Sequence, residues 1–315
     1  MENKEDDILH EVRDRFSEAV RRTHAQGILF SGGLDSALVA AYARDAVALS
    51  VGLLPGCDDA PYAEAVATHL GLDHRPVRIT PDEVLEAIPA VVTALRSFDP
   101  AIPNDVTIYL GLSHAKERGM ASVMTGDGSD EVFAGYSFMR EMDDLESYMD
   151  RMHSSMRFSA SILGAALGID VRQPFLDEAF FTFARTLDLS WKIGRENGTV
   201  RGKLILRRAF EGVLPPAILW QRKRSLEYGS GMTRLRGIIE SMIADSEYEK
   251  AQEKYSIRFR SKEHFYYYRI YRDVVGEIPA PETGQKRCAG CGGGMSPDAF
   301  HCNICGNVEN WRTGE

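Results

Sequence analysis

Ile28-Leu29-Phe30-Ser31-Gly32-Gly33-Leu34-Asp35-Ser36 is a short apolar run that breaks into a serine- and glycine-rich turn and continues as Ala37-Leu38-Val39-Ala40-Ala41. It reads as a strand, a tight loop and a helix. Two adjacent glycines let the backbone turn sharply and bring its N–H groups close to a ligand, and the start of the helix adds unpaired donors and about +0.5 of a charge. That combination makes a seat for an anion. The loop is too short for the Walker pattern, whose glycines stand further apart and lead into Lys-Ser or Lys-Thr. With Ser31, Asp35 and Ser36 in their place, phosphates would be held by backbone and hydroxyls, and Asp35 is available for a magnesium ion.

Working outward, Ile8, Leu9, Val12, Phe16, Ala19 and Val20 stand at helical spacing, so an amphipathic helix precedes the first strand. Downstream, residues 46–53 form a mostly apolar run too short for a typical helix, closed by Gly52 and then Pro55-Gly56, and are expected as the second strand. Residues 61–70 read as a helix, 74–79 as the third strand and 82–95 as another helix. Thr80-Pro81-Asp82-Glu83 suits the start of that helix, and Pro89 is expected to kink or split it. Residues 104–118 read as helix and 121–125 as the next strand. Strands alternating with helices predict an α/β fold of parallel βαβ units. Ligands then bind beyond the carboxyl ends of the strands, where the loops at 31–36 and 125–131 would both emerge.

The second of those loops belongs to the run Met124-Thr125-Gly126-Asp127-Gly128-Ser129-Asp130-Glu131-Val132-Phe133-Ala134-Gly135-Tyr136. Its carboxylates, chiefly Asp127 and Asp130, would repel a neighbouring phosphate unless a cation lay between, which implies magnesium. Past Tyr136 the strand signal fades, and residues 140–220 are mostly helical in pattern. The aromatic stretch Phe265-Tyr266-Tyr267-Tyr268 with Tyr271 suits core or subunit packing better than stacking on bases.

At 315 residues, with 44% apolar and 26% charged residues, the chain has the composition of a soluble globular protein able to house an enzyme. A net charge of -9 gives no overall attraction to nucleic acid or anionic lipid. No apolar run is long enough for a membrane span, and the N-terminus lacks the pattern of a secretion signal, so a cytoplasmic location is expected. Four of the five cysteines stand in two C-x-x-C pairs, Cys288/Cys291 and Cys302/Cys305, that bracket ten residues. Two such knuckles supply four thiolates tetrahedrally to zinc, and so short a piece has too little core to fold without the metal. The expected organisation is a nucleotide-binding unit over 1–275, a linker at 276–287 marked by Pro279, Pro281 and Gly284, and a zinc ribbon over 288–315.

The order Ser-Gly-Gly-Leu-Asp-Ser after an apolar strand resembles the pyrophosphate loop of the ATP pyrophosphatases, and the 124–136 run resembles the second signature of the synthetase domain of asparagine synthetases. The stretches 170–177, 203–207, 220–223 and 229–231 are similar to that domain too, so the likeness runs from about residue 8 to 235 and stops before the ribbon. It implies a parallel-sheet adenine-nucleotide domain with a helical extension, here followed by the ribbon. It implies that Ser31, Gly32, Gly33, Asp35 and Ser36 grip the ATP phosphates, and that Leu29, Val51 and Gly126 border the adenosine. Asp35 and Asp130 would share magnesium and pyrophosphate. Lys223 matches the lysine that neutralises the phosphates as pyrophosphate leaves, and Asp127 the acidic position near the acyl-adenylate and the incoming amine.

The implied reaction joins a carboxylate, aspartate by the family's default, to ammonia or another amine, with ATP split to AMP and pyrophosphate. Family enzymes that use glutamine carry an N-terminal glutaminase domain opening on a cysteine, whereas Glu2 stands here. Free ammonia, a separate glutaminase subunit or another nucleophile is therefore expected. Three other readings stay open: a β-lactam-forming relative, against which Asp127 argues because that branch is similar but has tyrosine there; a tRNA-modifying enzyme that adenylates a nucleobase; and a binding protein with a vestigial ATP site. Oligomeric state, a homo-oligomer included, is left open by the sequence.

Overall fold

The computed structural model describes residues 2–54, 60–221 and 226–309. Five strands, β1 (Gly27–Leu29), β2 (Val47–Leu53), β3 (His74–Ile79), β4 (Ser122–Met124) and β5 (Asp170–Arg172), form one parallel sheet in the order β3-β2-β1-β4-β5. Ile28 of β1 stands in register with Ala48 on one side and Met124 on the other. The chain winds outward from β1 to β3, then returns to lay β4 on the opposite side of β1. The order reverses between β1 and β4, so the loops leaving their carboxyl ends diverge and open a crevice.

Both faces of the sheet are covered, and the inner strands β1, β2 and β4 are mostly apolar runs rather than alternating ones, whereas the edge strands β3 and β5 are not. On one side α1 (Glu2–Arg22), α2 (Leu34–Tyr42) and α3 (Ala60–Leu70) bury Val12, Phe16, Leu38 and Val66 against Ile28, together with Phe175 and Phe210. On the other, α4 (Pro81–Leu95) and α5 (Ile102–Glu117) bury Val84, Val91, Val106 and Leu112 against Leu49 and Val123. The α4 N-terminus is a capping box: Glu83 N donates to Thr80 Oγ1 at 3.3 Å and Thr80 N donates to Glu83 Oε2 at 2.7 Å. The split expected at Pro89 does not occur, since α4 is helical on both sides of it.

The region expected to be mostly helical supplies two further pieces of sheet. One is β5, which completes the five-stranded sheet. The other is an antiparallel hairpin of β6 (Ile193–Glu196) and β7 (Thr199–Gly202), turned by Asn197 and Gly198 at φ 49° and 78°. Two left-handed residues in a row match the right-handed twist of the strands they join. The aromatic stretch is core: Phe265, Tyr267, Tyr268 and Tyr271 of the helix Lys262–Val274 are buried, and Phe98 packs edge-on against Tyr268 and Tyr271 at 5.2 Å each.

Residues 276–287, expected as a linker, cross from that helix to the first cysteine knuckle with Ile278 packed onto the core of the same face. The ribbon has two very short antiparallel strands, β8 (Lys286–Arg287) and β9 (Gly294–Met295). Its four cysteines and Met295 are continuous with the core formed by Phe98 and Tyr271. No helix among the described residues is long and apolar enough to cross a membrane.

Candidate active site

The first loop leaves β1 after Phe30, whose N–H still bonds Leu49 O at 2.8 Å. Gly32 then turns at φ +73°, and a Cβ there would lie 2.4 Å from Ala63 N, so both the conformation and the space demand glycine. The turn is tied to itself: Ser31 N donates to Ser36 Oγ at 3.2 Å, and Gly33 N to Ser31 Oγ at 3.2 Å. Gly33 precedes α2 without any side-chain cap, which leaves first-turn N–H groups of the helix for an anion.

The second loop closes directly beneath. A Cβ on Gly126 would stand 2.8 Å from Asp35 Cβ and 3.1 Å from Ser36 N, so the two loops touch through this glycine. Gly128, at φ +89°, opens the short helix Ser129–Val132, and Ser129 Oγ donates to Asp35 Oδ1 at 2.7 Å. Asp35 and Asp130 both face Lys203. Its Nζ lies 2.6 Å from Asp35 Oδ1, 2.7 Å from Asp35 Oδ2 and 2.8 Å from Asp130 Oδ1.

The hairpin delivers that lysine. Lys203 follows β7 at φ +56°, its N–H bonds Phe133 O at 2.9 Å, and Gly202 passes so close to Ala134 that a Cβ would fall 2.1 Å from the Ala134 carbonyl oxygen. Gly135 leaves the room the ion pair occupies, since a Cβ there would meet Asp130 Oδ1 and Lys203 Cε. Burial alone would lower the Lys203 pKa, but Asp130 and Asp35 together outweigh it and the net direction is upward. One turn on, the buried Arg207 bonds Gly202 O through Nε at 3.1 Å, and Leu219 O and Gln221 O through Nη1. Burial brings its pKa down to about 10, so it remains a cation at neutral pH.

Both loops open into a cavity of about 1100 Å³. Ser31, Gly32, Gly33, Asp35 and Ser36 line it from the first loop, and Gly126, Asp127 and Asp130 from the second. Leu29 and Val51 are part of its apolar lining, with Leu49, Val77 and Ile108. Lys223 lies outside the described residues; Gln221, two positions earlier, donates through Nε2 to Gly32 O at 3.4 Å. Asp127 Oδ2 accepts from Thr125 Oγ1 at 2.8 Å and from Gln173 Nε2 at 3.0 Å. Burial pushes its pKa up, and those two hydrogen bonds pull the other way without cancelling it.

Three site residues were not singled out in the sequence with these functions: Gln173, Lys203 and Arg207. Gln173 sits in the connection after β5. Lys203 and Arg207 follow a hairpin announced by Asn197-Gly198, the signal that locates them.

The cysteines gather as the spacing predicts. Cys288 Sγ and Cys305 Sγ are 3.7 Å apart, Cys291 Sγ and Cys302 Sγ 3.8 Å, and all four lie within 4.8 Å of one another. Those gaps are far beyond a disulfide bond and match the edge of a tetrahedron with Zn–S bonds of about 2.3 Å, which is about 3.8 Å. Hydrogen bonds from Cys291 and Cys305 favour the thiolate of Cys302 and hold its pKa well below the usual thiol range. Four soft thiolates in this geometry fit zinc. His301 turns away to Asp99, Nε2 to Oδ2 at 3.0 Å.

The family model described as asparagine synthase matches residues 11–164 and 148–277. A probable glutamine-hydrolysing asparagine synthetase from Dictyostelium discoideum is 28% identical over 93% of this chain and 60% of its own length. Asparagine synthetase B from Escherichia coli is 28% identical over 82% of this chain and 51% of its own, and the Gallus gallus enzyme 29% over 84% and 52%. The chain thus spans between half and about three fifths of these curated relatives.

Proposed function

The chain belongs to the asparagine synthase family, and from that premise we propose that it is an ATP-dependent ligase that forms an amide from a carboxylate and ammonia or an amine. The observation that carries this reading is the meeting of the two loops around one cavity, with Asp35 and Asp130 held on the same lysine. In this reading residues 1–275 form the nucleotide-binding unit, joined through 276–287 to the ribbon at 288–315.

The triphosphate lies along the Ser31–Ser36 turn, where backbone N–H groups, the Ser31 and Ser36 hydroxyls and the N-terminus of α2 receive its charge. Leu29, Val51 and Gly126 border the adenosine. Asp35 and Asp130 supply hard oxygen donors that suit magnesium, with Lys203 holding both in place. Magnesium, when bound there, neutralises charge on the phosphate oxygens.

A carboxylate oxygen of the substrate attacks the α-phosphorus, the bond to the bridging oxygen breaks, and pyrophosphate departs. Lys223, together with the buried Arg207, offsets the charge of the leaving group. The nitrogen then attacks the acyl carbon and AMP leaves with the former carboxylate oxygen. Asp127 receives the proton the nitrogen must shed, and a pKa raised by burial makes it a stronger base for that step. Aspartate is the first carboxylate to assign, giving asparagine.

The test is pyrophosphate and AMP release from ATP with aspartate and ammonium, run against other carboxylates and against tRNA. Equal release of both products with transfer of carboxylate ¹⁸O into AMP is the expected result. Release with RNA alone would replace this reading with nucleic-acid modification.

A further inference from the structure

We propose that the C-terminal ribbon is an outer brace of the active-site cavity, with Phe300 and His301 as positioning residues that hold two of its walls. The first wall is α5, whose Asn104, Thr107 and Ile108 line the cavity. The turn that starts α5 is fastened to the ribbon: Phe98 N donates to Ile304 O at 2.7 Å, Ser97 Oγ to the same carbonyl at 3.3 Å, and His301 Nε2 pairs with Asp99 Oδ2 at 3.0 Å. Asp99 in turn accepts from Ala101 N at 2.8 Å through Oδ1 and from Ile102 N at 3.0 Å through its carbonyl, so the residue His301 holds is the one that sets where α5 begins. Gly306 comes so close that a Cβ would stand 2.5 Å from Asp99 Oδ1.

The second wall is reached through aromatic rings. Phe300 packs on Tyr148 at 5.2 Å, Tyr148 on Phe138 at 5.8 Å, and Phe138 stacks on Tyr136 at 5.5 Å with 11° between planes. Tyr136 lines the cavity, and its hydroxyl donates to Glu131 Oε1 at 2.5 Å, beside Asp130. Aromatic contacts at these separations each add to the burial of the rings, and together they run without a gap from the ribbon to the substrate side of the second loop.

Phe300 and His301 immediately precede Cys302, so the four-thiolate cluster fixes both. Strands of two residues give the ribbon no core of its own, and its shape depends on the metal. Metal occupancy is thereby linked to the geometry of both walls by continuous packed contacts.

The experiment uses the full zinc-loaded chain and reads zinc content, amide hydrogen exchange over 97–108 and 136–148, and steady-state kinetics. Phe300→Ala is expected to keep its zinc and its overall unfolding transition while exchange over 136–148 quickens by about fivefold or more and KM for the carboxylate rises by a similar factor, with kcat changed by less than roughly twofold. Phe300→Tyr, which keeps the ring, should restore both. His301→Gln should quicken exchange over 97–108 instead, and it decides the matter if Phe300→Ala fails to fold. Zinc-loaded variants with wild-type exchange in both segments would overturn the brace. The kinetic arm rests on the ligase reading; absence of activity with every carboxylate would remove that reading, and exchange would still decide this one.

Discussion

Asp35 and Asp130 leave the sheet on different strands, yet an Oδ1 of each lies within 2.8 Å of the same Lys203 ammonium. The lysine is 5% exposed, so it is the counter-charge that lets two carboxylates share the mouth of the proposed phosphate site. Removing one member of a buried ion cluster leaves the others uncompensated. Lys203→Met is therefore expected to destabilise the fold by about 3–5 kcal/mol in urea unfolding. The sign with pH follows. The folded lysine pKa is raised, so its contribution is complete below the unfolded value of about 10.4 and is lost only as pH rises through the folded one. Wild-type stability should owe no slope to this group near neutrality. In the variant the two carboxylates can relieve repulsion by taking up a proton, so its stability should fall as pH rises across the carboxyl range.

Asp127→Asn separates stability from chemistry. The folded carboxyl has a raised pKa, so it holds a proton more readily folded than unfolded and costs stability once pH passes its unfolded value. The amide should unfold a few degrees higher at pH 7, bind ATP normally and fail to form amide. Normal turnover in this variant would remove Asp127 from the proposed proton transfer.

Gln173→Leu tests the same carboxylate from outside. It deletes a hydrogen bond that favours the charged form, so the Asp127 pKa should climb further. The acid limb of the amide-formation profile is expected to move to higher pH, with activity at alkaline pH retained.

How far the sequence reached explains which of these residues were visible early. Gly32-Gly33 and Gly126-Asp127-Gly128 could be read because each breaks an apolar run at a point where only a tight turn fits, and the structure brings both turns to one crevice. The cysteine pairs were legible because metal geometry fixes their spacing. Lys203 lies in the similar stretch 203–207, but its role was not legible, because a lone lysine in sequence carries no sign that it meets Asp35, 168 positions earlier in the chain, and Asp130. β5 is three residues on the edge of the sheet, half-buried and without a periodic pattern, and only pairing with β4 defines it. Pro89 carried the opposite lesson, since packing of Ile88 and Val92 on the sheet holds α4 continuous where local propensity would break it.

Metal affinity should carry its own pH dependence. Binding by Cys288, Cys291, Cys302 and Cys305 requires thiolates, so acidification returns protons to the sulfurs in competition with zinc. A single zinc per chain is expected at neutral pH, lost steeply on acidification. Cobalt substituted at the site should give the spectrum of a tetrahedral thiolate centre, and Cys302→Ser should abolish it.

Two identical substitutions should act with opposite sign. Gly237 lies in the helix Thr233–Ser241 with nothing within 4 Å of where a Cβ would go, so Gly237→Ala gains helix propensity and removes unfolded-chain freedom, worth about 0.5–1 kcal/mol of added stability. Gly126 is not among the glycines at positive φ, so the obstacle to alanine there is space, with Asp35 Cβ at 2.8 Å and Ser36 N at 3.1 Å. Neither is the end of a flexible side chain, so relief requires α2 to lift away from the second loop. Gly126→Ala should lose about 1–3 kcal/mol in unfolding measurements. Its larger effect should appear in calorimetric ATP binding, because the displaced turn carries the N–H groups proposed to receive the phosphates while Asp130 and Lys203 stay in place. A Gly126→Ala protein that bound ATP as tightly as the Gly237→Ala control would mean that close approach of the two loops is not what forms the nucleotide site.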